Sequence, residues 1–574
     1  MGVTEPRQDR WRLLSVLLIA GCTSAAPTDP GDGPVLDAGP THVRPDRPPR
    51  ALVPVERALP PAEVEVEAGS QLVQGGAVVC ADPSLVDTLG PFDLWQVVIP
   101  LPQVVHVEGA NATVADFNGD GVLDIFVTGE HEVFGWFGLD QVERVPPTVI
   151  LAIPTPAPRT GLFGATAVDI DDDDDLDLLV TGRAVEDHLL LNDGAGGFTD
   201  ATVGCGLEGY PSHHSTGASL ADLDKDGDLD LFIGGHGFMD ETLEYVTDFL
   251  PAEPSRLYLN DGGFFTDVSE RIPAPAHDGY TFMGGWIDAE GDGDEDLYLV
   301  NDFGNVLTPS QLLLNDGGTF VEDGGALGMD LPLAGMGFGV GDLDNDGDEE
   351  VALPAWNRNG LLYRDAGLWF DQAQARGYTP RRDQTVGWGS EIVDADNNGL
   401  MDIVTPYGWV DSRFGQNNEY DQPDGLYMQV RPGEFVDQAA QAGFADAASH
   451  RSAVPADLNR DGYPDFVKVG LDGYLRIDVS RCDDQSWLNV SLRQPPPNTG
   501  AIGAEVRVTA NGRTWMRRLR AGGTGFGPGQ PQELMFGLGT ADHIDELVVT
   551  WPDGTTEPWT DLAVNQQVWI ERGL

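Results

Sequence analysis

For most of its length the chain sets short apolar runs between turns and clusters of acids. Asp124-Ile125-Phe126-Val127 and Asp296-Leu297-Tyr298-Leu299-Val300 are β-prone and of strand length. Each follows a nine-residue phrase, clearest at Asp342-Leu343-Asp344-Asn345-Asp346-Gly347-Asp348-Glu349-Glu350. The second residue of the phrase and the residue just after it are apolar in every copy, as in Phe117 and Ile125, Leu223 and Leu231, Leu458 and Phe466. Alternation of this kind sends one set of side chains to a core and the other away from it. The phrase therefore predicts a loop that joins two strands of a β-hairpin.

The phrase recurs seven times, starting at Asp116, Asp169, Asp222, Asp288, Asp342, Asp394 and Asp457, in steps of 53, 53, 66, 54, 52 and 63 residues. A period near 50 marks an array in which each repeat is one supersecondary unit. A second motif lies between successive phrases. It reads Leu190-Leu191-Asn192-Asp193-Gly194 with Phe198-Thr199-Asp200, then Leu257-Tyr258-Leu259-Asn260-Asp261-Gly262 with Phe265-Thr266-Asp267, then Leu313-Leu314-Asn315-Asp316-Gly317 with Phe320. Looser versions stand at Leu362-Tyr363-Arg364-Asp365 and Leu426-Tyr427-Met428. Strand, Asn-Asp-Gly turn, strand is a hairpin signature. Two hairpins per repeat and seven repeats predict an all-β, seven-bladed β-propeller, which leaves only short, protected sheet edges. A linear solenoid of the same units is the alternative, because ring closure is not written in a repeat.

Positions 1, 3, 5 and 9 of the phrase carry side-chain oxygens. They are Asp116, Asn118, Asp120, Asp124 in the first copy and Asp169, Asp171, Asp173, Asp177 in the second. The third has Asp222, Asp224, Asp226, Asp230, and the fourth Asp288, Glu290, Asp292, Asp296. The fifth has Asp342, Asp344, Asp346, Glu350, the sixth Asp394, Asp396, Asn398, Asp402, and the seventh Asp457, Asn459, Asp461, Asp465. Carboxylates packed this closely repel one another unless a hard cation neutralises them. Oxygen ligands on a short, turning loop suit Ca²⁺, so up to seven Ca²⁺ are expected. Glycine at position 6 allows the sharp turn; the second copy has Asp174 there, a departure that puts its geometry in doubt. An EF-hand needs an acid at position 12 between two helices. Position 12 here is Val127, Val180, Ile233, Leu299, Leu353, Thr405 or Lys468, which excludes that reading.

Charge extends the picture. The chain has formal net charge −62, and the seven loops hold 33 of its 94 acids. Seven divalent ions would add +14 and leave about −48, so nucleic acid and anionic lipid are poor partners for the body. At the N-terminus Arg7, Arg10 and Arg12 precede the apolar run Leu13 to Ala20, a secretory signal too short to span a bilayer. It ends Ile19-Ala20-Gly21-Cys22, which resembles the bacterial lipobox. That resemblance implies lipidation at Cys22 and, with Thr23 following, an outer-membrane or cell-surface lipoprotein. An ordinary signal peptide with an incidental cysteine is the alternative. Ten prolines between Thr23 and Pro61 then predict an extended tether. Of the remaining cysteines, Cys80 and Cys482 flank the repeats and are candidates for a ring-closing disulfide, which leaves Cys205 as a free thiol. The two sequons, at Asn111 and Asn489, carry little weight.

After Cys482 the acid loops stop. Trp487 to Leu574 hold 7 basic and 9 acidic residues, and Ala504-Glu505-Val506-Arg507-Val508, Leu547-Val548-Val549-Thr550-Trp551 and Gln567-Val568-Trp569-Ile570 read as strands of a separate small β domain. The boundaries expected are 1–22 signal, 23–75 disordered tether, 76–484 propeller and 485–574 C-terminal domain.

The acidic loops, with Phe163-Gly164-Ala165 and Gly337-Phe338-Gly339-Val340 leading into two of them, resemble the FG-GAP/VCBS repeats of integrin α-chain propellers and many bacterial surface proteins. The resemblance implies a seven-bladed ring with a Ca²⁺ loop inside each blade that carries the motif. Trp487-Leu488, Gly503-Ala504, Phe536-Gly537-Leu538-Gly539, Trp551-Pro552-Asp553-Gly554 and Asn565-Gln566 resemble the ASPIC/UnbV domain, which follows such a propeller in proteins similar to cartilage acidic protein. That family usually has a Ser-Gln pair after its Gly-rich stretch; here Gly527-Pro528-Gly529-Gln530 keeps only the Gln. These likenesses lead to the expectation of a non-enzymatic Ca²⁺-binding protein for adhesion or recognition of an extracellular glycan or protein, held to the membrane only through its lipid. The competing expectation is a secreted carbohydrate-active enzyme similar to polysaccharide lyases, with His213, His214 or His236 as the base.

Overall fold

The computed structural model describes the backbone at 62–63, 71–74 and 95–100 and then residues 111–573, except 140–145, 155–160, 211–212, 238–250, 383, 410–420, 481–483 and 528. Cys22, the signal, Cys80 and Cys482 lie outside the described residues. Among the described residues no helix is long and apolar enough to cross a membrane.

Seven four-stranded antiparallel units follow one another along the chain. Blade 1 begins with Asn111–Ala115 and Asp124–Thr128, and blade 2 with Gly161–Val168 and Asp177–Arg183. Each acidic phrase joins the first two strands of its blade, and each Asn-Asp-Gly motif joins the last two, as at Arg256–Asp261 and Phe264–Asp267. The alternation read from the sequence places the cores between blades. Phe117 and Phe126 of blade 1 pack on Ala165 and Leu178 of blade 2, while Leu343 and Ala352 of blade 5 pack on Ile403 and Tyr427 of blade 6. Val114 and Ile125 of blade 1 share a core with Val454 and Val467 of blade 7, so the circuit closes into a seven-bladed propeller. Blade 7 takes three strands from His450–Ala456, Asp465–Gly470 and Tyr474–Val479, and its outermost strand is Trp95–Pro100 from the other end of the array. Twelve backbone positions paired in register thus fasten the first and last parts of the ring together.

The C-terminal module is a two-sheet sandwich. Ser486–Arg493 lies between Leu534–Gly539 and, in parallel, Gln566–Glu571; the facing sheet orders Arg513–Arg518, Glu505–Ala510, Ile544–Thr550 and Thr556–Leu562. It does not stand apart from the ring, as a separate domain would. Its core side chains, including Val506, Phe536 and Trp551, belong to one cluster with Leu179 of blade 2 and Leu231 of blade 3. Gln71–Gln74, inside the span read as tether, pairs with Gln566–Glu571. An open sheet edge offers unpaired N–H and C=O groups that such a segment can satisfy.

Both sequons are ruled out as glycosylation sites in the fold, since Asn111 and Asn489 are buried in strands at 0% and 1% exposure. Cys205 is a buried free thiol whose Sγ donates to the Thr202 carbonyl at 3.2 Å.

Candidate metal centres

All seven loops take one shape, built from the same local hydrogen bonds. In the first, the Asp120 N–H donates to Asp116 Oδ1 at 3.1 Å and the Gly121 N–H to Asp116 Oδ2 at 2.8 Å. The Phe117 N–H donates to Asp124 Oδ2 at 2.9 Å and the Val122 N–H to Asp120 Oδ1 at 2.9 Å. The seventh repeats this with Asp461 and Gly462 on Asp457, Leu458 on Asp465 and Tyr463 on Asp461. Position 6 is left-handed in every loop. Asp174 adopts φ 75° and still donates to Asp169 Oδ2 at 2.9 Å, so the second loop keeps the common form. An Asp side chain tolerates that region better than a branched one.

Position 4 is left-handed too, at Gly119, Asp172, Lys225, Gly291, Asn345, Asn397 and Arg460, a feature the sequence did not announce. In the fifth, sixth and seventh loops the position-4 side chain reaches the next loop. Asn345 donates to the Gly399 carbonyl at 3.3 Å, Asn397 to Gly462 at 2.9 Å, and Arg460 to Gly121 at 3.5 Å. The second motif ties the loops together as well. The Asn192 N–H donates to Asp177 Oδ1 at 2.9 Å and its side chain to the Phe117 carbonyl of the preceding blade at 2.8 Å. Gln429 does the same for Asp402 and Leu343.

In four loops the position 1, 3 and 9 carboxylates converge, with ligand atoms all within 4.8 Å of one another: Asp169, Asp171, Asp177; Asp222, Asp224, Asp230; Asp342, Asp344, Glu350; and Asp394, Asp396, Asp402. The first and seventh loops have Asn118 and Asn459 at position 3, and the fourth has the longer Glu290. In each loop the position-5 side chain accepts a hydrogen bond from the position-7 N–H, as Asp346 does from Asp348 and Asn398 from Leu400.

The carboxyls at position 9 are buried, and burial, with the neighbouring acids adding to it, raises their affinity for protons. Asp124 is pushed up to about 8, Asp177, Asp230 and Asp296 to about 7 and Glu350 to about 10, while Asp402 and Asp465 rise well above the carboxylate range. At position 1 the same causes lift Asp222 to about 6, Asp342 to about 7 and Asp394 to about 8. Asp124 Oδ1 and Asp344 Oδ1 are buried without a hydrogen-bond partner. Buried, mutually repelling carboxylates with unused oxygens are what a hard cation would compensate, and these clusters can hold a metal ion.

The C-terminal module sits on the face of the ring that carries these loops. Arg520 grips Glu349 of the fifth loop with contacts of 3.0 and 2.6 Å, Arg518 reaches Glu295 of the fourth at 2.8 Å, and Arg493 reaches Asp174 of the second at 2.5 Å. Burial alone would raise Glu349, yet Arg520 and Arg518 hold it below its usual range. The module's Gly-rich stretch enters the central channel. Ala521 and Gly522 pair with Leu220 and Ser219 of blade 3, Gly525 exchanges backbone hydrogen bonds with Phe338 of blade 5, and the Val114 N–H of blade 1 donates to the Gly529 carbonyl. Phe526 fills the axis among Phe163, Phe282, Met336, Val386 and Trp388. Glycine is needed here, because a Cβ on Gly525 would meet Glu391 and one on Gly529 would meet the Ala112 carbonyl. Gln530, the retained Gln, donates to Glu391 on the innermost strand of blade 6 beside a cavity of about 100 Å³.

The histidines take structural contacts. His213 Nε2 lies 3.0 Å from the Pro254 carbonyl and its ring is pushed down to about 4 by burial and by Arg256. His214 Nδ1 lies 3.0 Å from the Gly237 carbonyl, and His236 stacks on Phe282 at 4.1 Å.

Comparison with known proteins matches an FG-GAP-like repeat at residues 169–233 and ASPIC and UnbV at 494–573. Cartilage acidic protein 1 of Mus musculus is 25% identical over 276 residues, 45% of this chain and 40% of that protein. The Homo sapiens protein of that name is 25% identical over 278 residues, 45% and 39%. The chain thus spans about two-fifths of the length of these relatives. Among solved structures, an Agrocybe aegerita lectin that recognises non-reducing terminal N-acetylglucosamine aligns at 17% identity over 61% of this chain and 90% of its own, TM-score 0.37. BBS1N in complex with ARL6DN aligns at 10% identity over 68% and 98%, TM-score 0.41. The chain carries an FG-GAP-like repeat and a C-terminal ASPIC and UnbV match on a propeller-like all-β fold, and is similar over part of its length to cartilage acidic protein 1.

Proposed function

We propose that this chain is a Ca²⁺-stabilised, non-enzymatic recognition protein that works outside the cell, tethered through a lipid at Cys22, with an extracellular glycan or protein as its ligand. The observation that carries the calcium part is the repetition of one loop geometry around buried, proton-hungry carboxylates. Ca²⁺ is the fitting ion, since the ligands are oxygens on turning backbone. Asp116, Asp288 and Asp457 would hold ions with their loop partners in the same way. The family likeness supports recognition. His213 and His236 do lie near carboxylates, Glu253 at 3.8 Å and Asp302 at 3.5 Å, but all three histidines are buried, which speaks against the lyase alternative, since that needs a base open to substrate. Elemental analysis of protein purified in Ca²⁺ tests the first part: fewer ions than the four loops whose acids converge would defeat it. A glycan array probed with the loaded protein, followed by a search for released product, tests the second. Retention without cleavage is expected, and turnover would establish the enzyme instead. Acyl labelling at Cys22 and its loss in Cys22→Ala would test the anchor.

A further inference from the structure

The loops are not equivalent once the module is in place. On the second, the Thr499 hydroxyl donates to Asp169 Oδ2, the oxygen that also takes the Asp174 N–H, and the Asn498 N–H donates to Asp172 Oδ1 at 2.9 Å. On the sixth, Trp515 Nε1 donates to the Gly399 carbonyl at 2.8 Å and the Gly539 N–H to Asn397 at 2.9 Å. On the seventh, Asn489 Nδ2 donates to Asp457 Oδ2 at 2.8 Å, while Oδ1 of the same amide, on a residue 1% exposed, has no partner. The groups these residues grasp are the first carboxylate, the position-4 carboxylate of the second loop, and the carbonyls at positions 4 and 6 of the sixth. They are the parts of a loop whose placement depends on how its acids are held. Among the described residues the first loop receives no such contact from the module. Its neighbour Arg460 comes from the ring.

We propose that cations in the second, sixth and seventh loops dock the C-terminal module and seat Phe526 in the channel, so that occupancy of these loops is read out as a closed or an open axis. The inference rests on the calcium reading above. Held by a cation, the side chains at positions 1, 3 and 9 would stay together, and with them the position-1 oxygen that Thr499 or Asn489 grasps and the two left-handed carbonyls that take Trp515 and Gly539. Without it, like charges spread the loop and those four anchor points lose their register together. The cores between blades 1 and 2 and between blades 7 and 1 are apolar and contain no residue of the module. Module and plug should therefore loosen before the blades do.

Hydrogen–deuterium exchange of the full chain in Ca²⁺ and in EGTA, with bound ions counted on the same samples, tests this. Protection at residues 520–531 is expected to fall by on the order of tenfold or more in EGTA, ahead of the blade strands. Asp396→Ala, in the sixth loop, should open the same segment in the presence of Ca²⁺, and Asp120→Ala, in the first, should leave it closed. Asn489→Ala should raise the Ca²⁺ concentration needed to protect the segment. A merely structural Asn489 would lower protection equally at every Ca²⁺ concentration, which would remove it from the proposal. If ions are present and the segment exchanges equally in both buffers, or if Asp120→Ala opens it as far as Asp396→Ala does, the docking inference is overturned while calcium binding stands. Absence of bound ions from the wild-type chain would overturn both.

Discussion

Replacing Phe526 with alanine probes the union of ring and module at its tightest point. The side chain is 1% exposed and its ring centroid lies 5.2 Å from Phe163, 5.2 Å from Phe282 and 4.9 Å from Trp388, on blades 2, 4 and 6. No single blade can collapse into the space left behind, because the surrounding rings belong to rigid sheets on three sides of the channel. Truncation of a buried Phe costs about 3–5 kcal/mol, and incomplete collapse puts this site near the upper end. Aromatic pairs at these separations contribute about 0.5–1.5 kcal/mol each within that total. The assay is urea unfolding in saturating Ca²⁺, followed by calorimetry and by exchange, because a two-part chain need not unfold in one step. We expect the module to unfold before the ring in Phe526→Ala, at an unchanged ion count. Phe264→Ala, at a side chain 52% exposed, serves as the control and should change little. A loss below about 1 kcal/mol in Phe526→Ala, or one no larger than that of the control, would refute the view that the plug joins the two parts.

Two further outcomes follow from buried charge. Lys468 is fully buried with Nζ 2.6 Å from Asp478, 2.8 Å from Asp446 and 3.2 Å from Asp424, and His450 lies 2.7 Å from Asp424. Lys468→Met leaves these acids uncompensated and should cost about 3–5 kcal/mol, read by denaturant midpoint; near-wild-type stability would mean the cluster is not held by its lysine. The position-9 acids, raised to about 7 to 10 by burial and by their neighbours, set a pH dependence with a definite sign. Their folded-state values lie above the unfolded ones, so in chelator their contribution is fully present below about pH 4 and is lost as pH rises through about 7 to 10. In Ca²⁺ the ligands must shed those protons, so the gain in melting temperature over EGTA should widen across the same range. A chelated protein whose melting temperature rises between pH 6 and 9 would contradict this.

Much of the site was legible in advance because it is local. Asp342 to Glu350 sit within nine residues, and their turn is set by side chains that accept from N–H groups two to seven positions away. The left-handed position 4 leaves no mark in the sequence because its occupants, from Gly119 to Arg460, share a backbone need and no side-chain type. Asp174 looked like a defect for the opposite reason: its side chain breaks the glycine pattern while its backbone conforms. The histidines could not be assigned from Pro211-Ser212-His213-His214-Ser215 alone, since their partners at Pro254, Gly237 and Phe282 come from other stretches of chain.

By itself the sequence determined the hairpins, their number, the acidic loops and the β character of the C-terminal module, since period, turn residues and alternation act over a few residues at a time. Only the tertiary structure decided that Trp95–Pro100 completes blade 7, that the module lies on the loop face, and that Phe526 stops the channel. Each of those pairs surfaces built from residues far apart in the chain. Their fit is a property of shapes that exist only after the blades have formed, and no local pattern in either partner records it.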